Sequence, residues 1–290
     1  MKYAIVDQYA GNVSTRRACE LLDVRRQGYY EWRLRRKTPR QVYDELLTEK
    51  IKNIFFESKR IYGARKILSL LRREKHFVSR GRVRRLMAAA GLVPVTFRRF
   101  VHTTDSKHSM AVCPNLLSGD LKVEEPDRVW VSDMTYIRTD EGWLYLCSVL
   151  DIYSRRVVGW AVSQTIDRHL AIAALKNATE SRKPAPGLIF HTDRGCQYAS
   201  SDFRNAVAQM GGIGSMSRSG NPYDNAYAES FFRSIKVEWL DTQHSKTRTQ
   251  AAQAVSEYML FYNRKRIHAS LGYLSPLEFE SGLAGAPIAS

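Results

Sequence analysis

Three acidic residues lie at positions where acidic side chains are unusual or are typical of a binding site. Asp133 lies inside residues 129–137, a run that otherwise has the composition of a β-strand, and Asp is disfavoured in strands. Asp193 directly follows a short apolar run at the end of another predicted strand, and ligands gather at strand ends in open α/β sheets. Glu229 lies in a predicted helix that begins near residue 221. Two strands and one helix therefore each supply one carboxylate.

Phosphodiester transfer is the chemistry that requires such a set. The attacking oxygen, the pentavalent phosphate and the leaving oxygen must all be stabilised, and two magnesium ions about 3.5–4 Å apart can do this. Magnesium prefers hard oxygen ligands, which carboxylates provide. Taken singly, each acid also has an ordinary explanation: Asp133 pairs with an internal arginine, Asp193 caps a turn before Gly195, or Glu229 faces solvent.

The spacing and the surroundings of these acids resemble a known family. Thirty-five residues separate Asp193 from Glu229. This interval, with an Asp, Asp, Glu triad, marks the bacterial insertion-element transposases related to retroviral integrases, of the type translated from the second of two overlapping reading frames. The flanking segments are also similar to that family, namely Trp130–Tyr136, His191–Tyr198, Met216–Asn221 and Tyr262–Tyr273.

The resemblance implies a polynucleotidyl transferase in which Asp133, Asp193 and Glu229 are both catalytic residues and metal ligands. The expected cofactor is a pair of Mg²⁺ ions, which Mn²⁺ can replace. Water would cleave a phosphodiester at an element end, and the freed 3′-hydroxyl would attack a second phosphodiester. The implied partners are double-stranded DNA of the element ends and of the target, further copies of the chain on DNA, and an upstream-frame protein.

Other side chains near the triad have supporting roles in this interpretation. Lys236 follows Glu229 by two helical turns and shares its helix face, with Arg233 beside it. The resemblance implies that Lys236 contacts element-end DNA. Asn225, one turn before Glu229, is placed to steer the carboxylate or a water. For His191 we expect a hydrogen-bonding role, since magnesium seldom recruits imidazole.

The positive charge of the chain is concentrated at one end. Residues 1–100 contain 25 Lys and Arg against 9 Asp and Glu, whereas residues 101–290 contain 20 of each. The whole surplus of +16 thus lies in the first third, and neutralising DNA phosphates releases counterions and rewards such charge. The predicted DNA-contacting residues outside the triad region are Arg65, Lys66, Arg82, Arg84, Arg85, Arg264 and Arg266.

The elements that must position these residues follow from hydrophobic periodicity. Residues 14–92 have helical patterns, with a loose helix-turn-helix signature over 14–32. Beyond residue 126, three strand-like runs precede an alternation of helix, strand, helix, strand and helix. This order is that of a ribonuclease-H-like α/β core, a mixed five-stranded sheet flanked by helices, although order alone does not separate it from other mixed α/β folds.

We therefore predict a basic helical DNA-binding region at 1–93 and a linker at 94–125. The catalytic core would span 126–245, with a C-terminal helix and basic tail at 246–290 packing on it. The four cysteines form no CxxC pair, which indicates free thiols in a reducing cytosol. No apolar run approaches the roughly 20 residues of a membrane span, so we expect a cytoplasmic protein, and the resemblance implies that it is associated with the nucleoid. Two alternatives stay open: a ribonuclease H or resolvase of the same fold, and a non-catalytic DNA-binding repressor.

Overall fold

The computed structural model describes residues 2–11, 13–34, 37–95, 113–117, 122–218 and 225–282. Most of the predicted linker thus falls outside the described residues. The first third is entirely helical within the described ranges, as predicted. Its helices are α1 (Lys2–Tyr9), α2 (Thr15–Leu21), α3 (Arg26–Leu34), α4 (Pro39–Glu57), α5 (Ala64–Arg73) and α6 (Arg80–Ala89).

Local sequence signals begin and end these helices. Ser14 caps α2, Thr38 forms a capping box with Gln41 at the start of α4, and Ser79 caps α6, so each satisfies backbone N–H groups that would otherwise lack acceptors. Gly91, just after α6, has a φ of +67°, the left-handed conformation that ends helices. The sequence did not predict α1, which has almost no amphipathic pattern.

A five-stranded mixed sheet forms the centre of the remaining chain. Its strands are β1 (Val129–Thr139), β2 (Gly142–Asp151), β3 (Val157–Ser163), β4 (Ile189–Thr192) and β5 (Ile213–Met216). The order across the sheet is β3-β2-β1-β4-β5, with β1, β2 and β3 antiparallel and with β4 and β5 parallel to β1. This is the ribonuclease-H-like arrangement that the element order predicted.

Helices cover both faces of the sheet. One face packs against α7 (Arg168–Arg182), α8 (Cys196–Ala199) and α9 (Ser201–Gln209). The other packs against α10 (Ala226–Glu238) and α11 (Arg248–Arg264), and α12 (Pro276–Glu280) adjoins α11. The contact of α7 with β3 is so close that a Cβ on Gly159 would lie 2.5 Å from the Ala178 backbone nitrogen.

The hydrophobic core under α10 and α11 continues into the helical region. Leu47, Ile51 and Leu71 of α4 and α5 belong to the same buried cluster as Phe231 and Tyr258. The Tyr62 hydroxyl also donates to the Lys265 carbonyl oxygen at 3.0 Å. Helices α1 to α3 instead have a small cluster of their own around Val6 and Tyr29. Across the described residues, no helix combines the length and apolar character that crossing a bilayer requires.

Candidate active site

The register of the sheet brings Asp133 and Asp193 to adjacent positions. In the parallel ladder of β1 and β4, Val131 is the partner of His191. Two residues further along each chain are Asp133 and Asp193, the latter just beyond the end of β4. Side chains in a strand alternate between the two faces of the sheet. Both carboxylates are therefore expected on the same face as the Val131 and His191 side chains. Two acids 60 positions apart are thus neighbours because of one strand pairing.

Glu229 reaches the same place from the first turn of α10. Asn225, at the start of this helix, is buried, and its side-chain amide donates to the Ser132 carbonyl oxygen at 3.4 Å. That bond ties the beginning of α10 to the residue before Asp133. The Oδ1 atom of Asn225 is buried and has no hydrogen-bond partner among the described residues. One buried hydrogen-bond acceptor near the carboxylates is therefore unsatisfied within the described residues.

Burial and the two other acids both act on the carboxyl of Asp133. Burial raises the pKa of this carboxyl well above its usual range, and the negative charges of Asp193 and Glu229 raise it further. A backbone hydrogen bond from Met134 and the ammonium of Lys236 act in the opposite direction. Like charges held this close disfavour ionisation of Asp133. A cation among them would reverse that effect.

The strand that carries Asp133 is fixed from behind by a buried polar cluster. The Ser132 hydroxyl lies 3.0 Å from the Tyr198 hydroxyl and 3.5 Å from the Cys147 sulfur. Tyr198 belongs to α8, which directly follows the Asp193 loop. Burial raises the pKa of the Cys147 thiol to about 11, so this cysteine remains protonated. The cluster was not predicted from the sequence, because its members are 15 and 66 residues away from Ser132.

His191 is fully buried and links β4 to β5. Its Nδ1 lies 2.8 Å from the Ser215 hydroxyl and its Nε2 lies 3.0 Å from the Ser217 hydroxyl. Both ring nitrogens are therefore engaged by hydroxyl groups. This agrees with the hydrogen-bonding role expected from the sequence.

Carboxylate oxygens are suitable ligands for a hard divalent cation. In this structure, backbone N–H groups hydrogen-bond to the carboxylates of both aspartates. Asp133 accepts from the Met134 N–H at 2.7 Å, and Asp193 accepts from the Gly195 N–H at 2.9 Å. Within the described part of the chain, no three acidic, histidine or cysteine side chains are already placed to hold a metal ion. Oxygen donors, mutual repulsion and the unpartnered Asn225 oxygen together fit Mg²⁺.

Lys236 lies on the same helix as Glu229 and beside β1. Its Nζ sits 4.5 Å from the centre of the Tyr136 ring. Burial lowers the pKa of Lys236, while Asp241 and Asp133 raise it. Its positive charge thus acts on Asp133. Arg233, one turn earlier, is exposed.

The other predicted DNA-contacting residues fall into two groups. Arg65, Arg84, Arg85 and Arg264 are exposed, and Arg85 also donates to Asp44 at 3.4 Å. Arg82, by contrast, donates to Asp44 at 2.7 Å, and Arg266 is buried and bonded to Glu238 through two nitrogens at 2.7 and 2.6 Å. Lys66 is partly buried, with its ammonium 4.8 Å from the centre of the Tyr62 ring. The sequence shows where cations occur but not which ones have internal partners.

Comparisons with known families agree with this architecture. Residues 123–222 match an integrase core domain, and residues 214–276 match a second integrase core domain description. Residues 42–100 match an HTH-like domain, which covers α4 to α6. The matched regions therefore include all three carboxylates and the basic helices.

Similar proteins extend over nearly the whole chain. The transposase for insertion sequence element IS904 of Lactococcus lactis is 41% identical over 247 residues, which are 85% of this chain and 98% of that protein. The transposase InsF for insertion sequence IS3A of Escherichia coli is 37% identical over 97% of this chain and 99% of its own length. An insertion element IS600 protein of Shigella sonnei is 39% identical over 90% of this chain and 96% of its own length.

Among solved structures, the catalytic core domain of BIV integrase matches 54% of this chain and 95% of its own, with 17% identity and a TM-score of 0.44. The HTLV-2 integrase catalytic core domain in complex with magnesium has the same TM-score at 15% identity, and covers 54% of this chain and 97% of its own. The transposases named above are more similar to this chain, with 41% and 37% sequence identity. From their identity and coverage, the chain belongs to the family of insertion-sequence transposases that carry an integrase core domain.

Proposed function

We propose that this protein cleaves DNA at the ends of its insertion element and joins the freed 3′ ends to a second phosphodiester. Asp133, Asp193 and Glu229 are the catalytic carboxylates in this proposal. The observation that carries it is the β1–β4 register that sets Asp133 beside Asp193, and the negative charge of Glu229 also acts on Asp133. Acids from two strands and one helix would meet at this strand end, and a bound cation would offset their like charges.

The same three carboxylates would hold two Mg²⁺ ions, or Mn²⁺ in their place. When bound, such ions activate the attacking oxygen and stabilise the leaving oxygen. The protein contributes position. The pairing of β1 with β4 fixes the two aspartates, and the bond from Asn225 to the Ser132 carbonyl fixes α10, hence Glu229, against them.

Cations of the chain would hold the DNA around this site. Lys236 sits beside the carboxylates and would contact a phosphate near the scissile bond. The exposed arginines Arg65, Arg84 and Arg85 on the HTH-like helices would bind the flanking duplex. Because two element ends must be joined together, we expect at least two copies on DNA, and an upstream-frame partner can supply end recognition. Such a protein would act at the nucleoid.

Strand cleavage and joining test this proposal directly. The substrate is a labelled duplex carrying the terminal sequence of the element, incubated with Mg²⁺ and either wild type or Glu229→Gln. We expect joined product only from wild type, and we expect Glu180→Gln, an exposed acid on α7, to behave as wild type. Product from Glu229→Gln at the wild-type rate would refute the assignment of the third carboxylate.

A further inference from the structure

Helices α2 and α3 are joined by a tight turn. Four residues connect them, since α2 ends at Leu21 and α3 begins at Arg26. Within this connection Asp23 has a φ of +51°, and the Val24 N–H donates to the Cys19 carbonyl oxygen at 3.0 Å. A helix-turn-helix joins its two helices by a turn of about three or four residues that often contains glycine, which readily adopts this left-handed conformation. The backbone of residues 15–34 therefore follows that motif.

Buried side chains hold α2 against α3. Ala18 and Cys19 of α2 and Tyr29 of α3 are buried together with Val6 of α1, and Val24 of the turn packs on this cluster. Each of the three helices thus turns one side inward. The loose signature in the sequence corresponds to a packed unit, and these contacts fix the orientation of α3 within it.

The other side of α3 is exposed to solvent. Its exposed side chains include a set at the spacing of one helix face, namely Arg26, Gln27, Tyr30, Glu31 and Leu34. We call this set the α3 face. The Gln27 amide nitrogen donates to the Glu31 carboxylate at 3.1 Å, which holds the amide in one direction. Tyr30 is 44% exposed and Leu34 is 78% exposed. The α3 face therefore presents both hydrogen-bonding groups and apolar area.

Cations predominate around the α3 face. Residues 1–37 contain 9 Lys and Arg against 4 Asp and Glu, a net charge of +5. One of the acids, Glu20, pairs with Arg16 at 3.1 Å, whereas exposed Arg26 forms no ion pair with a described residue. Outside the described residues, this stretch contains Met1, Asn12, Arg35 and Arg36 and hence no further acid. A polyanion is therefore the partner whose charge fits this unit.

The major groove of DNA matches the α3 face in shape and in chemistry. The second helix of a helix-turn-helix lies in this groove, and the residues near its N-terminus contact base edges. Arginine pairs in bidentate fashion with guanine there, and glutamine pairs in the same way with adenine. Arg26 and Gln27 stand in the first turn of α3, and Tyr30 follows one turn later. These three side chains thus occupy the positions from which such a helix reads bases.

From this geometry we infer that α3 enters the major groove and reads base pairs of the element end through Arg26, Gln27 and Tyr30, with α2 across the phosphate backbone. This reading site is separate from helices α4 to α6, whose exposed arginines would contact phosphates. The inference rests on the proposed function and deepens it, because it names the part of this chain that recognises the DNA to be cleaved.

Competition binding of the full chain in EDTA tests this inference. Affinity for a duplex carrying the element end is divided by affinity for a duplex of the same composition in scrambled order, and this ratio is the discrimination. The variants are Gln27→Ala and Arg26→Ala. Gln8→Ala is the matched control, because Gln8 is an exposed glutamine on α1. All three side chains are exposed, so melting curves should coincide with that of wild type and verify folding.

Loss of one bidentate base contact should reduce the discrimination by about 5- to 150-fold. Gln27→Ala should show this loss with little change in its affinity for scrambled DNA, and Gln8→Ala should keep the wild-type discrimination. A duplex scanned with single 7-deazaadenines, which lack the N7 acceptor of the major groove, locates the contact. One such position should weaken binding by wild type and leave Gln27→Ala unaffected.

Discrimination by both variants equal to that of Gln8→Ala overturns the inference, as does wild type that does not distinguish the two duplexes. A protein contact is the alternative occupant of the α3 face. Tyr30→Ala that changes the oligomeric state in sedimentation without DNA, and keeps the wild-type discrimination, would assign the face to that contact and overturn the inference. The proposed function fails separately: wild type that discriminates the element end but yields no joined product with Mg²⁺ would refute cleavage and joining while supporting the role of α3.

Discussion

Glu238→Gln isolates the contribution of the buried ion pair that anchors the C-terminal segment to α10. The Glu238 and Arg266 side chains are only 5% and 9% exposed. Glutamine keeps the shape and most hydrogen bonds but leaves the guanidinium without a counter-charge. Removing one partner of a buried pair costs about 3–5 kcal/mol. Coulomb's law gives about 4 kcal/mol at 4 Å with an effective dielectric constant of 20, so we expect a loss near 4 kcal/mol.

Urea unfolding followed by tryptophan fluorescence and circular dichroism measures this loss. A decrease of about 4 kcal/mol corresponds to a melting temperature lower by roughly 8–16 °C. Glu180→Gln is the matched control, since Glu180 is 65% exposed and its nearest cation, on Lys176, is 3.8 Å away. An exposed pair of this kind contributes at most about 1 kcal/mol.

The double variant Glu238→Gln/Arg266→Met completes the cycle. With both charges gone, the desolvation cost of the ion pair disappears as well, and most of the lost stability should return. If Glu238→Gln unfolds within 1 kcal/mol of wild type, the guanidinium has found another counter-charge or solvent. The reasoning from burial would then be wrong.

Three further predictions concern the active site and its surroundings. Asp133→Asn should abolish strand transfer and yet raise the melting temperature in EDTA at pH 7.5. Because the pKa of Asp133 is raised in the folded state, this carboxyl lowers the stability as the pH rises from about 4 through its folded pKa. The uncharged amide removes this loss of stability. His191→Ala should lower the free energy of unfolding by about 1–3 kcal/mol in urea titrations, because the buried Ser215 and Ser217 hydroxyls each lose their hydrogen bond to the ring. No loss would show that the remaining bonds of these hydroxyls are sufficient. DNA affinity of wild type should weaken by up to about tenfold from pH 7 to 9 as Lys66, whose pKa is about 8, loses its proton, while Lys66→Met should lack this titration.

Strand and helix positions followed from the sequence where periodicity was strong. Residues 129–137 were predicted as a strand, and β1 spans Val129–Thr139. The helical pattern predicted over residues 14–92 agrees with α2 to α6. The helix α8 of four residues is too short to leave a periodic signal, and α12 lies in a segment that was read as a tail. The placement of α4 to α6 on the core depends on contacts between residues about 200 positions apart, which no local pattern carries.

The three carboxylates were identified because acidic residues are uncommon at such positions. A carboxylate inside a strand-like segment can be recognised from the sequence alone. Partners of cations are not visible in this way. Arg82 and Arg266 were predicted to contact DNA, and the structure places one against Asp44 and the other inside the protein with Glu238. Arg155 stands next to Arg156 between β2 and β3, and only the fold brings the Tyr227 ring to it.

The continuous core between the HTH-like helices and the integrase core sets limits on exchange between relatives. A chimera that took α4 to α6 from one transposase and the sheet from another would have to match Leu47, Ile51 and Leu71 to a foreign Phe231 and Tyr258, and a mismatch would open cavities in shared packing. Helices α1 to α3 carry their own cluster. Recombination that retargets an element should therefore succeed at a junction near residue 37 more often than at one near residue 95.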